Sequence, residues 1–387
     1  MKMYLRDYCV GCGLCVAKGK AEVQVDRKGY IYPALGDEAW LENVCPAGGK
    51  QLLTMDKSKI WGRTVNVYLG WSNDPILRNS ASSGGVVTEV AAYLLKSKKV
   101  DAIIHVCMDQ DNPTSTKVCV SLSREELVAR CGSRYAISHP LSCLDDLEMG
   151  KKYAFIGKPC DVTVLKNYMQ NHPELQSVIP FTLSFFCAGM PSAGAQEKLV
   201  DQLGCKEKVV SLRYRGHGWP GFTTAIGESG KAYTMDYNSS WGQILGRDIM
   251  RACRFCLDGI GEMADISCGD AWYVTADMQP DFSEHEGRNV IFARSESGND
   301  LLKQLSAAGL MHCEKYENYE KDLKIIQRYQ FERKATMLAR LLGMRCVLRK
   351  VPHIKTKDLV GFSKEVSYIR NLKVFMGTVK RAIIGKI

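Results

Sequence analysis

The chain has 387 residues, 45% of them hydrophobic and 24% charged, the balance of a globular protein long enough for two or three cores and not that of a disordered or fibrous one. No stretch approaches the roughly 18 apolar residues that span a bilayer, and the start, MKMYLRDYCV, lacks the apolar run and cleavage site of a secretory signal, so a cytoplasmic location is expected. The net charge of +10 is gathered at one end, where residues 331–387 hold 14 Lys and Arg against 3 Asp and Glu.

Residues 1–60 read as a cysteine-bearing unit ending in a charged hinge at Lys57 to Lys59. Cys9, Cys12 and Cys15 follow the spacing C-x2-C-x2-C, and Cys45 is followed by Pro46. A four-iron cube needs three thiolates on a tight loop and a fourth from elsewhere, and Gly11 and Gly13 let the loop wrap closely. In two-cluster ferredoxins each motif gives three cysteines to one cluster and its last Cys-Pro to the other. Here Gly19 stands where the first motif would place its fourth cysteine, and Leu35, Glu38 and Leu41 replace three ligands of the second. The losses are complementary, so one complete ligand set survives. Four thiolates also hold zinc, but zinc sites usually pair two C-x2-C hooks, and the triple hook with a remote Cys-Pro favours iron–sulfur.

From residue 61 to about 310 apolar runs alternate with helical patterns. TVNVYLGW, VDAIIHV, KKYAFIG, VIPFTLSFF and RNVIFAR predict buried strands, and GVVTEVAAYLL, DVTVLKNYM, AGAQEKLVDQL and GNDLLKQLSAAG predict helices. The alternation predicts an α/β core with helices covering a largely parallel or mixed sheet. TTAIGES and KAYTMDY around Gly230 read as an inserted hairpin. Division of the core at residue 150 leaves 61–150 and 151–310 as its two parts, with 311–387 as a basic helical tail. In the tail Ile369, Leu372, Met376, Val379, Ile383 and Ile387 recur at helical spacing with Arg370, Lys373, Lys380, Arg381 and Lys386 around them. Two readings stand: a helix lying on an anionic membrane surface, or one packed on the core with a solvated basic face.

Sixteen cysteines in a reducing compartment point to metal or redox chemistry rather than disulfides. Cys160 in GKPCDV, Cys187 in FFCAGMPS, and Cys253 with Cys256 in CRFC lie at predicted strand ends or beside Gly and Pro. A lone C-x2-C also fits a dithiol pair or half a zinc site. Joined with two cysteines at strand C-termini, where open α/β sheets place their sites, it makes a candidate four-thiolate site. Cys107, Cys119, Cys205, Cys313 and Cys346 sit alone and read as inert core residues.

SSGGVVTEVAAYLL, GSRYAIS, GKPCDVTVLK, FFCAGMPS and CRFCLDGIGEMADISCGDAW, in unbroken order over about residues 4 to 310, resemble the beta-subunit family of coenzyme F420 hydrogenases and dehydrogenases, which includes plant hydroxymethyl-chlorophyll reductases. The resemblance implies a non-Rossmann α/β fold binding FAD, with a four-iron cluster near the isoalloxazine held by Cys160, Cys187, Cys253 and Cys256. It places Ser83, Gly84, Gly85, Ser133, Arg134 and Tyr135 along the flavin, with Arg134 suited to phosphate charge. Independently, a small-residue turn opening a helix admits a phosphate closely. Cys268 and Cys131 match no ligand position.

Clusters pass single electrons and a flavin converts them into pairs. The expected activity is that of a flavin-dependent iron–sulfur oxidoreductase, with two 4Fe–4S clusters and FAD carrying electrons between ferredoxin or another one-electron donor and an organic substrate. A layout similar to polysaccharide-associated family members suggests a lipid-linked glycan, with peripheral contact at the inner membrane face. The alternative is an electron-transfer adapter subunit, linked to F420 or ferredoxin, in a larger hydrogenase or dehydrogenase complex. Nucleic acid is not expected as a partner, for the tail has few aromatics and no reader motif. No acid–base residue is assigned; His217 in RGHGWPG is a histidine in a glycine-rich loop, where a surface position is the commoner outcome.

Overall fold

The computed structural model describes residues 5–48, 59–352, 354–385 and 387. Its strands are β1 (Ala21–Val25), β2 (Ile31–Gly36), β3 (Asn66–Ser72), β4 (Ala102–Met108), β5 (Thr116–Ser121), β6 (Tyr153–Gly157), β7 (Phe181–Phe185), β8 (Val209–Arg213), β9 (Thr223–Gly227), β10 (Ala232–Met235), β11 (Ile266–Asp270), β12 (Tyr273–Val274), β13 (Pro280–Asp281), β14 (Asn289–Ala293) and β15 (Met311–Lys315). Eight form one sheet in the order β15-β3-β14-β11-β7-β6-β4-β5. Its centre is parallel, β4 on β6, β6 on β7 and β7 on β11, and its flanks are antiparallel. The expected mixed α/β core is thus present, and each apolar run read as a strand lies in this sheet.

Both faces of the sheet are covered, which is why its central strands read as continuous apolar runs. Ile103, Ala154, Leu183, Ile266 and Ile291 pack under the helices Val86–Lys96 and Glu296–Ala307. On the opposite face Ala102, Ile104 and Phe155 meet the helix Pro159–Met169 and, through Leu14 and Val44, the N-terminal unit. Caps fix where helices start: Ser192 Oγ accepts from the Ala195 amide at 3.0 Å and Ser295 Oγ from that of Gly298 at 3.1 Å. The hairpin around Gly230 forms as read, with β9 antiparallel to β10 and β8 added on the other side of β9.

One boundary, at 310/311, differs from the sequence reading. β3 pairs with both β14 and β15, so 61–150 and 151–310 share one sheet, and a cut at 310/311 would strip an edge strand from it. The tail opens on that strand, not on a helix. Of the hinge read at Lys57 to Lys59, only Lys59 falls within the described residues.

Candidate functional site

The N-terminal unit is a loop, the antiparallel hairpin β1–β2 and the short helix Glu38–Val44. Gly11 and Gly13 take φ of 69° and 88°, left-handed backbone that lets the loop coil around its own cysteines. Cys9, Cys12, Cys15 and Cys45 line a single narrow cavity of about 20 Å³ walled mostly by apolar side chains. The Gly11 amide donates to Cys9 Sγ at 3.3 Å, and the Leu14 and Val16 amides donate to Cys12 and Cys15. Burial first, and then Cys45, push the Cys15 thiol up to about 11, and Cys9 and Cys12 rise for the same two reasons. Leu41, at one lost ligand position, is fully buried, so core packing fills part of the space the missing cluster would need.

Cys160 opens the helix after β6, Cys187 follows β7, and Cys253 and Cys256 flank the end of the short helix Arg251–Arg254. These segments meet, and Cys187 is an electrostatic neighbour of Cys160, Cys253 and Cys256 alike. Burial, then Cys187 and Cys256, raise the Cys253 thiol to about 12; burial raises that of Cys256 to about 11 although Arg333 pulls it down. Amides again point at sulfur, Met190 to Cys253 at 3.4 Å, Gly189 to Cys187 and Asp258 to Cys256. Four thiols set into the fold, three of them with an amide donor, suit a cluster in each place, since bound iron supplies the charge that holds them as thiolates. Among the described residues no three His, Cys, Asp or Glu side chains are gathered tightly enough for a single metal ion.

The two groups adjoin. A Cβ added at Gly11, between Cys9 and Cys12, would stand 3.2 Å from Met190 Cε, and Met190 is the residue whose amide meets Cys253. His139 bonds the Gly11 carbonyl at 2.6 Å. Beside it the Lys158 ammonium bonds Asp161 and Ser138, each at 2.8 Å. Burial opposes the Lys158 charge, but Asp161, Cys160 and Cys187 outweigh it and hold it protonated.

The second group opens onto a cavity of about 500 Å³ at the C-terminal ends of the parallel strands, a size ordinary for cofactor sites. Cys187 and Lys158 line it on one side; Ser83, Gly85, Ser133, Arg134 and Tyr135 line another part. Gly84 lies behind, where a Cβ would come within 2.8 Å of Asn289 Oδ1. Ser83 Oγ is spent on the Arg288 carbonyl at 2.9 Å, and Tyr135 stacks at a tilt on Trp241. Arg134 gives its terminal nitrogens to the carbonyls of Leu212, Pro113 and Ser115 at 2.6, 2.7 and 3.0 Å. That leaves Arg134 Nε, which with Ser82 Oγ is buried without a hydrogen-bond partner, and both residues line the cavity. A polar group bound there would satisfy both atoms.

Several participants had no counterpart in the sequence reading. Arg333 and Gln330 both donate to the Cys187 carbonyl at 3.1 Å, and Tyr329 to that of Ala188 at 2.9 Å, so the tail closes over the second group. Lys158 had a usable signal, lying two residues before Cys160; Arg333 had none. His217 is exposed and away from the cavity, whereas His105 lines it. Cys107 and Cys119, read as solitary, lie on the paired strands β4 and β5, where Cys119 Sγ comes within 3.4 Å of His105 Nε2. Cys268 and Cys131 line the large cavity and stand outside both groups of four.

Models of the coenzyme F420 hydrogenase/dehydrogenase beta subunit match residues 67–145 with their N-terminal part and 150–319 with their C-terminal part. The chain belongs to this family. Its relatives include the coenzyme F420 hydrogenase subunit beta of Methanosarcina barkeri, 24% identical over 70% of this chain and 89% of that one. The coenzyme F420-dependent sulfite reductase of Methanocaldococcus jannaschii is 25% identical over 60% of this chain and 36% of its own length. The chloroplastic 7-hydroxymethyl chlorophyll a reductase of Oryza sativa is 22% identical over 77% and 61%. A chain of the F420-reducing NiFe hydrogenase complex from Methanosarcina barkeri shares the fold, with a TM-score of 0.56 and 21% identity over 75% of this chain and 97% of that one. The beta-subunit fold thus accounts for the large sheet, and the family models leave the Cys9–Cys45 unit outside their matched residues.

Proposed function

We propose that this chain is an iron–sulfur flavoprotein that carries electrons as a subunit of a larger oxidoreductase, with one 4Fe–4S cluster on Cys9, Cys12, Cys15 and Cys45, a second on Cys160, Cys187, Cys253 and Cys256, and FAD in the large cavity. One observation carries the reading: Cys187 belongs to the second group of thiols and also lines the cavity. A cluster held there adjoins whatever the cavity binds. When bound, a flavin exchanges electron pairs with an organic partner and single electrons with iron.

The chain's own residues supply the setting. The Ser83–Gly85 turn gives a close backbone approach at the start of an eleven-residue helix. Arg134 Nε and Ser82 Oγ offer polar contacts, Tyr135 and Trp241 an aromatic wall, and Lys158 a buried positive charge between thiols and cavity. Relatives that are hydrogenase subunits favour a role within an assembly. A self-contained reductase is the second reading, favoured by the Cys9–Cys45 unit, which lies ahead of the family match and gives the chain its own entry for electrons. Ferredoxin as the donor and a glycan as the substrate have no counterpart in the relatives' names and are not carried forward.

Anaerobic purification with iron, sulfide and flavin measured together is the test. The expected content is about eight irons and one FAD per chain. Zinc in place of iron, or a preparation free of flavin after anaerobic expression with riboflavin, would sink the proposal.

A further inference from the structure

The Tyr368–Ile383 helix presents several of its large apolar side chains to water. It packs on the helix Met337–Cys346 through its small residues: Thr378 and Ala382 are buried, and a Cβ at Gly343 would stand 3.0 Å from the Phe375 carbonyl and 3.1 Å from Thr378 Cβ. Glycine at 343 is what allows the two backbones so close. The outer face then carries Ile369 at 64% exposure, Leu372 at 46%, Met376 at 58% and Ile383 at 66%. At 100° per residue these four share one arc of the helix, with Lys373 and Lys380 along one border and Arg370 and Arg381 beyond them. Single exposed apolar residues are ordinary, but an aligned stripe of four marks a surface that is covered in use.

We infer that this stripe seats the protein on an anionic lipid surface. The helix holds four Lys and Arg and no Asp or Glu, so a cationic border runs beside an apolar strip, the pattern of helices that lie in the headgroup plane. No helix among the described residues is long and apolar enough to cross a membrane, which leaves lying on the surface as the mode of contact. A second copy meeting the same face would set like charges together, at a cost. The inference is independent of which cofactors the cavity and thiols hold.

Flotation of the full chain with vesicles provides the test, using phosphatidylcholine alone and with one third phosphatidylglycerol. Retention is expected on the anionic vesicles and is expected to weaken as salt shortens the range of the charges. Each lysine near such a surface contributes about fivefold, so the pair K373Q and K380Q is expected to weaken retention roughly 25-fold. L372S with M376S is expected to weaken it at least about tenfold. Its thermal midpoint should match that of the parent, because both side chains already face water. Absence of retention on anionic vesicles at low salt would overturn the inference. So would equal retention of parent and both variants, or self-association of the parent that M376S abolishes.

Discussion

The N-terminal cysteines come from one short stretch of chain and the second four from loops that only the sheet brings together; their surroundings differ as much as their origins. The strongest electrostatic neighbours of Cys9, Cys12 and Cys15 are one another, Cys45 and the carboxylate of Asp161. The second group also feels Asp161, most strongly at Cys160, and Asp258 at Cys256, but it has in addition two cations against it, Lys158 beside Cys160 and Cys187, and Arg333 beside Cys187, Cys253 and Cys256. A cluster gains negative charge on reduction, so nearby cations raise its potential and apolar or anionic surroundings lower it. Under the proposed function the contrast implies a direction: electrons entering at the N-terminal unit would run downhill to the second group and onward to the cavity that Cys187 lines.

The most drastic way to break the comparison is to remove one group at a time. Cys45→Ser is expected to cost the N-terminal cluster, about four irons, and to leave the second cluster's absorbance and paramagnetic signal intact, whereas Cys253→Ser should do the reverse. If either variant lost all its iron, the two groups would not be separate sites.

Charge offers a gentler test. Arg333→Gln is expected to lower the potential of the second cluster by on the order of 100 mV, from one buried charge at an effective dielectric near 20, and to leave the first unmoved. Arg333→Lys, which keeps the charge, should restore most of it. A redox titration that found both clusters shifted equally by Arg333→Gln would remove the electrostatic distinction.

The smallest effect concerns how the units are held together. Tyr30, from the N-terminal hairpin, donates to the Met190 carbonyl at 2.9 Å, and the Met190 amide meets Cys253. Tyr30→Phe removes one of the two hydrogen bonds that this carbonyl accepts, the other coming from the Met250 amide at 2.9 Å, at a cost of about 0.5 to 1.5 kcal/mol read as a lower denaturant midpoint. An unchanged midpoint would mean that the hairpin docks without this bond.

Local spacing determined what lies within a few residues of itself. The C-x2-C-x2-C loop with its distant Cys-Pro identified four thiols that line one cavity, and apolar runs identified β3, β4, β6, β7 and β14. Those runs are buried on both faces and carry no competing signal. β11 went unread because ISCGD is too polar to announce a central strand; it is one only because β7 and β14 flank it. Likewise, nothing near Arg333 in the chain marks it as a partner of Cys187, and nothing near Met190 marks it as lying between Gly11 and Cys253. The last helix shows the limit most plainly. Periodicity found its apolar face, but the choice to bury Thr378 and Ala382 and leave Ile369, Leu372, Met376 and Ile383 in water was made by the close approach of a second helix at Gly343. A pattern repeating every three or four residues records which side chains share a face; which face turns inward depends on the shape of what it meets, and that is set by chain distant in sequence.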